Sequence, residues 1–229
     1  MCIRDRLVTA QSYNFEWAKG FMGFGANAQQ ELMLSCVSEA VDTDANGNVY
    51  STGYFQGTIS FDPNVFQGSN IASNGSYDIY VSKLDASGNN VWVRRIGGTQ
   101  VDQSRSLVVD GLGNVIVAGT FTGTVDFDPG SGTVNLTSAG GNDGFILKLD
   151  SNGNFIWVVQ VGGTGNDTML GLATDVSGNL YSTGGFASPT VDFDPGTGVF
   201  NLTSSGGYNS FVQKLDASGN FVWAKAVEG

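Results

Sequence analysis

Lys83-Leu84-Asp85-Ala86-Ser87-Gly88-Asn89-Asn90-Val91-Trp92 is the stretch that decides the fold, because it returns as Lys148 to Trp157 and again as Lys214 to Trp223. Each copy reads as a hairpin: an apolar run, an Asp able to bond the backbone two residues on, a Gly that tolerates positive φ, and a second apolar run. The first strand carries Tyr80, Val81 and Leu84 in one copy, Phe145, Ile146 and Leu149 in the next, and Phe211, Val212 and Leu215 in the third; the return strand carries the tryptophan. Both strands are apolar on successive residues. They are expected to be covered on both faces, as in sheets stacked on sheets.

Working outward, Trp17, Trp92, Trp157 and Trp223 mark a repeat whose first interval is the longest, which places an insertion in Phe24 to Ser35. Four strands are expected per unit. The first ends at Asp44, Asp110 or Asp175 and turns through Asn46-Gly47-Asn48, Leu112-Gly113-Asn114 or Ser177-Gly178-Asn179. The second runs from Val49 to Phe55, Val115 to Phe121 or Leu180 to Phe186, and the lone Gly53, Gly119 and Gly184 inside it predict a bulge or a close backbone approach. A long connection carrying Phe61-Asp62-Pro63, Phe127-Asp128-Pro129 or Phe193-Asp194-Pro195 then leads to the hairpin. Three units of this kind, without helical periodicity, are the pattern of β-propeller blades. The fold expected is all-β and propeller-like, with three four-stranded antiparallel blades in an open arc, a fragment of a larger propeller. Residues 1–10 read as a non-native start plus the tail of a signal peptide (Leu7-Val8-Thr9-Ala10), 11–35 as an N-terminal strand and insertion, and 36–98, 99–163 and 164–229 as the blades.

Composition agrees with a turn-rich globular chain. Of 229 residues 34 are Gly, about twice the usual ~7%, and 41% are hydrophobic against 14% charged. The net charge of −11 argues against nucleic acid and anionic membranes, which need clustered Lys and Arg. With no His and only Cys2 and Cys36, zinc sites and His-dependent triads are excluded. Cys36, in an apolar run, is expected to pack as a small hydrophobe.

The phrases Trp-x-x-x-x-Gly-Gly, Asp-x-x-Gly-Asn-x-Tyr-x-x-Gly, Phe-Asp-Pro-Gly and Lys-Leu-Asp-x-x-Gly-Asn-x-x-Trp resemble the SBBP-type β-propeller repeat of bacterial secreted and surface proteins, over about Gln11 to Gly229. The first unit departs from it, with Met22-Gly23 for Gly-Gly and Ser60 before Phe-Asp-Pro. The resemblance implies a propeller and a secreted or cell-surface location, with little agreed biochemistry. The Asp-x-x-Gly…Trp phrase also resembles the tryptophan-docking motif of quinoprotein propellers, one residue shorter.

Two carboxylate patterns invite a metal. Asp42-Thr43-Asp44-Ala45-Asn46-Gly47 matches half of a calcium loop but lacks its closing Glu, and a hairpin turn with Asp capping the backbone explains all six Asp-x-x-Gly-Asn turns at once. Asp126 with Asp128, and Asp192 with Asp194, stand at i and i+2 and are the candidate calcium ligands, against a purely structural turn. No catalytic residues and no cofactor other than calcium are expected. The tryptophans are read as wedges between blades, Trp92 and Trp157 buried, and Tyr54, Tyr77 and Tyr208 as exposed aromatics available to a ligand. The function expected is a non-enzymatic scaffold that binds a protein or a polysaccharide through its loop face, and that is completed by further blades of the same chain. The competing readings are a quinoprotein-like or carboxylate-dependent enzyme and a purely structural repeat of an adhesin.

Overall fold

The computed structural model describes residues 22–23, 35–61, 70–204 and 206–227. The expected strand at Trp17 to Phe21, the signal-peptide tail and most of the insertion at Phe24 to Ser35 lie outside them. Strand β1 (Met22–Gly23) is followed by β2 (Ser35–Thr43), β3 (Val49–Gln56), β4 (Thr58–Ser60), β5 (Asn70–Ala72), β6 (Asp78–Leu84) and β7 (Asn90–Ile96). The second unit comprises β8 (Gln103–Val109), β9 (Val115–Asp126), β10 (Asn135–Leu149) and β11 (Phe155–Val161). The third comprises β12 (Asp167–Thr174), β13 (Leu180–Phe186), β14 (Thr190–Asp192), β15 (Asn201–Thr203), β16 (Asn209–Leu215) and β17 (Phe221–Val227).

Each unit is a four-stranded antiparallel meander: β2-β3-β6-β7, β8-β9-β10-β11 and β12-β13-β16-β17. These are the blades, in an open arc, all-β and without helix among the described residues. The long connection is more ordered than its sequence suggested. In blades 1 and 3 it folds back as the ribbons β4-β5 and β14-β15, and in blade 2 the same ribbon is the far end of β9 and β10, where Asn135 pairs with Asp126.

Alternation of side chains across the pleat explains the stacking. In blade 2, Val115, Val117, Phe145, Leu147 and Leu149 face blade 1, where they meet Tyr50, Ile79, Val81 and Trp92. Ile116, Ala118 and Ile146, their sequence neighbours, face Phe186, Phe211 and Leu215 of blade 3. The third strand is therefore buried over Asp143–Leu149 in blade 2 and, but for Lys83, in blade 1, whereas in blade 3 Ser210 is exposed and Val212 and Lys214 are half-buried. The fourth strand corrects the expectation of cover on both faces: Val91, Ile156 and Val222 are exposed, because an outermost strand has no further neighbour to lie beneath.

Six Asp-x-x-Gly-Asn turns join first to second and third to fourth strands, so they all lie at one end of the blades. In each, the Asp Oδ1 accepts backbone N–H bonds from residues i+2 and i+4, and its Oδ2 accepts the Asn side-chain amide, as at Asp85, Asp150 and Asp216. The Gly N–H returns to the Asp carbonyl, which requires the left-handed φ that Gly47, Gly88, Gly113, Gly153, Gly178 and Gly219 adopt. This phrase builds a capping turn in every copy.

The tryptophans sit between blades. Trp92 is only 8% exposed and its indole N–H donates to the Ser151 carbonyl of blade 2 at 3.1 Å. Trp157 packs in the same way against Gly219 of blade 3, yet it is half-buried, which corrects the expectation of full burial. The reason is one side chain: Arg94 lies over the Trp92 ring and bonds the Gly153 and Asn152 carbonyls, whereas the corresponding residue near Trp157 is the shorter Val159.

Candidate functional site

The end of the blades opposite the six turns carries the ribbons, the blade crossings and the three tyrosines. Its geometry starts from a defect repeated in every blade. The first strand has a β-bulge against the second, between Ser38 and Ala40, Ser104 and Ser106, and Met169 and Gly171. The bulge pushes a first-strand carbonyl toward the second strand, and a Cβ on Gly53, Gly119 or Gly184 would overlap the carbonyl oxygen of Val37, Gln103 or Thr168. The lone glycines thus mark both a bulge and a close approach, as expected.

The extra residue of each bulge was not foreseen: Glu39, Arg105 and Leu170. Bulges re-aim side chains, and here they bring the three together along adjoining first strands. Arg105 Nη1 donates to Glu39 Oε1 at 2.9 Å, its other nitrogen donates to Gln103 Oε1 at 2.8 Å, and the guanidinium lies over the Tyr54 ring. Arg105 and Leu170 then line a groove of about 430 Å³ between blades 2 and 3, walled by Gln103, Thr122, Asn142 and Thr168. Leu170 is 55% exposed, a large apolar side chain held at the surface by its backbone. The signal in the sequence was the glycine on the neighbouring strand, which marks where a bulge falls but not which residue it turns outward.

Of the tyrosines, Tyr54 and Tyr77 meet edge-on with centroids 5.4 Å apart and are half-buried, while Tyr208 is exposed. Tyr54 reaches the bulge cluster through Arg105, and Tyr208 bonds Thr168 in the wall of the groove.

The candidate calcium ligands sit in two separate loops of this end. Asp126 Oδ1 accepts N–H bonds from Asp128 and Val134, and Asp128 Oδ1 accepts one from Gly130. Asp192 and Asp194 repeat the pattern with Asp194, Phe200 and Gly196 as donors. The loop seats its phenylalanine: Phe127 packs against Phe121 and Phe145, and Phe193 against Phe186 and Phe211. Among the described residues no three His, Cys, Asp or Glu side chains come close enough to share a metal. A second cavity of about 430 Å³, at the turn end, is lined by Asp44, Asn46, Asn48, Lys83 and Asp110. The Asp44 and Asp110 carboxylates there already serve their turns.

The class defined by this architecture is a β-propeller-like array of blades. Residues 91–123, from the end of one blade across the crossing into the next, match the family described as Beta-propeller repeat, SBBP, the repeat that the motifs resemble. It is 29% identical to an uncharacterized WD repeat-containing protein, L264, of Acanthamoeba polyphaga mimivirus, over 66% of this chain and 13% of that protein. The match spans a small part of that relative's length. A crystal structure of a protein of unknown function from Bacteroides caccae is similar at 10% identity over 84% of this chain and 82% of the other, with a TM-score of 0.31, a superposition too loose to bear on fold or function.

Proposed function

We propose that the chain is a non-enzymatic scaffold, secreted or at the cell surface, that binds a protein or a polysaccharide at the rim where the bulges lie. One observation carries this reading: a frame that repeats its turns, glycines and aromatic plugs almost unchanged presents three chemically unlike side chains, Glu39, Arg105 and Leu170, at one repeated position. Structural demands explain a conserved pattern of that kind, but not a different side chain at each turn of it. A propeller repeat and a WD-repeat relative favour a scaffold over an enzyme. The paired carboxylates of the long loops favour the same side, since each Oδ1 is committed to backbone N–H groups.

Further blades of the same kind are proposed as the cover of blade 3. Its outer face carries Tyr181, Trp223 and Lys214 in the arrangement that Tyr50, Trp92 and Lys83 have in blade 1, where blade 2 covers them.

The test is a glycan array, and in parallel an array of surface-protein ectodomains, probed with the wild type and with Leu170→Asp and Arg105→Ala. Binding that both variants lose at unchanged melting temperature supports the reading. Binding that both variants keep moves the site elsewhere, and an absence of binding on both arrays leaves the purely structural reading standing.

A further inference from the structure

Each blade crossing encloses two carboxylates that the sequence pattern did not single out. Asp78 and Asp102 are fully buried at the first crossing, Asp143 and Asp167 at the second. They flank the same Gly-Gly dipeptide. A Cβ on Gly97 would overlap the Asp78 carboxyl while the Gly98 N–H donates to Asp102 Oδ2 at 2.7 Å; Gly162 and Gly163 stand in the same way to Asp143 and Asp167.

One member of each pair is well supplied with donors. Asp102 Oδ1 accepts the Thr122 N–H, and Asp167 accepts the N–H groups of Ala187 and Ser188 and the Ser188 hydroxyl at 2.6 Å. The other member is not. Asp78 accepts only on Oδ2, from Asn74 and Arg95, and Asp143 only on Oδ2, from Ala139 and Gln160. Among the described residues, Oδ1 of both is buried without a hydrogen-bond partner. A bare buried carboxylate oxygen beside a second carboxylate makes negative charge costly and a proton favourable. Blade 3 supplies the control: at the position where Asp78 pairs with Phe55 and Asp143 with Phe121, it has Asn209 opposite Phe186, so the frame accepts the neutral isostere.

We propose that the crossings are proton-operated joints, in which Asp102 beside Asp78, and Asp143 beside Asp167, are protonated while the blades are closed and ionise as the pH rises, loosening blade 2 from its neighbours. Burial, chiefly, raises the carboxyl pKa of Asp78 and Asp143 and pushes Asp102 up to about 6, with the Asp78 charge adding to the rise at Asp102 and the Asp167 charge to that at Asp143. At the first crossing Arg95, on β7, is the cation facing the pair. At the second, Gln160 takes its place, Tyr208 faces Asp167, and among the described residues neither Asp143 nor Asp167 forms an ion pair. Because the folded values are raised, the folded chain binds more protons than the unfolded one in the mildly acidic range, and stability falls as pH rises through it.

The experiment is a set of melting curves of the whole chain from pH 4.5 to 8, for the wild type and Asp143→Asn, with and without calcium. The wild type is expected to melt higher at pH 5 than at pH 7.5, and Asp143→Asn to melt higher than the wild type at pH 7.5 with a flatter slope. An unchanged slope, or an equal loss at every pH, overturns the proposal. So does a calcium-induced rise in the wild type that Asp143→Asn lacks, which would put a cation where the proton is placed. Carboxyl carbon NMR titration of the wild type needs no variant: Asp102 and Asp143 titrating above the usual carboxylate range supports the joint, and both titrating within it overturns it.

Discussion

The indole N–H of Trp92 donates to the carbonyl of Ser151 at 3.1 Å, across the boundary between two blades, and Lys83 Nζ donates to the same oxygen at 3.1 Å. A carbonyl in the turn of one blade thus anchors two side chains of the blade before it. Trp92→Ala removes a buried wedge and its bond together, and is expected to cost about 3–5 kcal/mol. Trp157→Ala, at a half-buried site, should cost less. Chemical denaturation of both variants checks the order, and an equal cost would mean that the Arg94 lid adds nothing.

The bulge glycines give a second prediction. Gly119→Ala places a Cβ against the Gln103 carbonyl and is expected to cost roughly 1–3 kcal/mol, as overpacking does. Gly111→Ala, where a Cβ meets nothing within 4 Å, should fall within about 0.5 kcal/mol of wild type. Equal effects in thermal melts would remove the close approach as the reason for the glycine.

For the long loops, EDTA is expected to leave the wild-type melting temperature unchanged. Asp126→Ala should cost on the order of 1–2 kcal/mol by freeing the two N–H groups it caps, equally with and without calcium. A fall of many degrees on chelation, lost in the variant, would make these carboxylates calcium ligands after all.

Acid acts on the turns with the opposite sign to the crossings. The Asn220 side-chain amide, with the backbone N–H groups of the turn, holds the Asp216 carboxyl below the usual range, and Asn179 does the same for Asp175. A lowered folded value gives stability that is present above the unfolded value and is lost as pH falls through the folded one. Stability should therefore peak at mildly acidic pH, between loss of the turn caps below and ionisation of the crossing pairs above. Melting curves read against pH check this, and a maximum above pH 7 would contradict it.

Blade 3 leaves Tyr181, Val212 and Trp223 on a face without a covering blade among the described residues. Exposed apolar patches of this kind associate. In sedimentation velocity the mass of the 229-residue chain is expected to rise with concentration, and Val212→Lys to suppress the rise. A concentration-independent monomer would show that the face is covered by residues of the chain itself.

The repeat, the six turns and the apolar third strand were legible in the sequence because each depends on neighbours in the chain: an Asp reaches the N–H groups two and four residues on, and a Gly takes the φ the turn needs, whatever lies around them. Stacking followed from the same source, since Ile146 and Leu147 are both apolar and cannot share one face. What lies between blades did not follow. Arg94 and Val159 occupy one repeat position, yet only the contact of Arg94 with Gly153 covers a tryptophan. Glu39, Arg105 and Leu170 became a cluster only when the bulges turned them outward along adjoining strands. Nothing in the sequence sets Asp78 and Asp102 apart; the crossing buries both. Burial and charge proximity arise from residues distant in sequence, so the tertiary structure alone decides them.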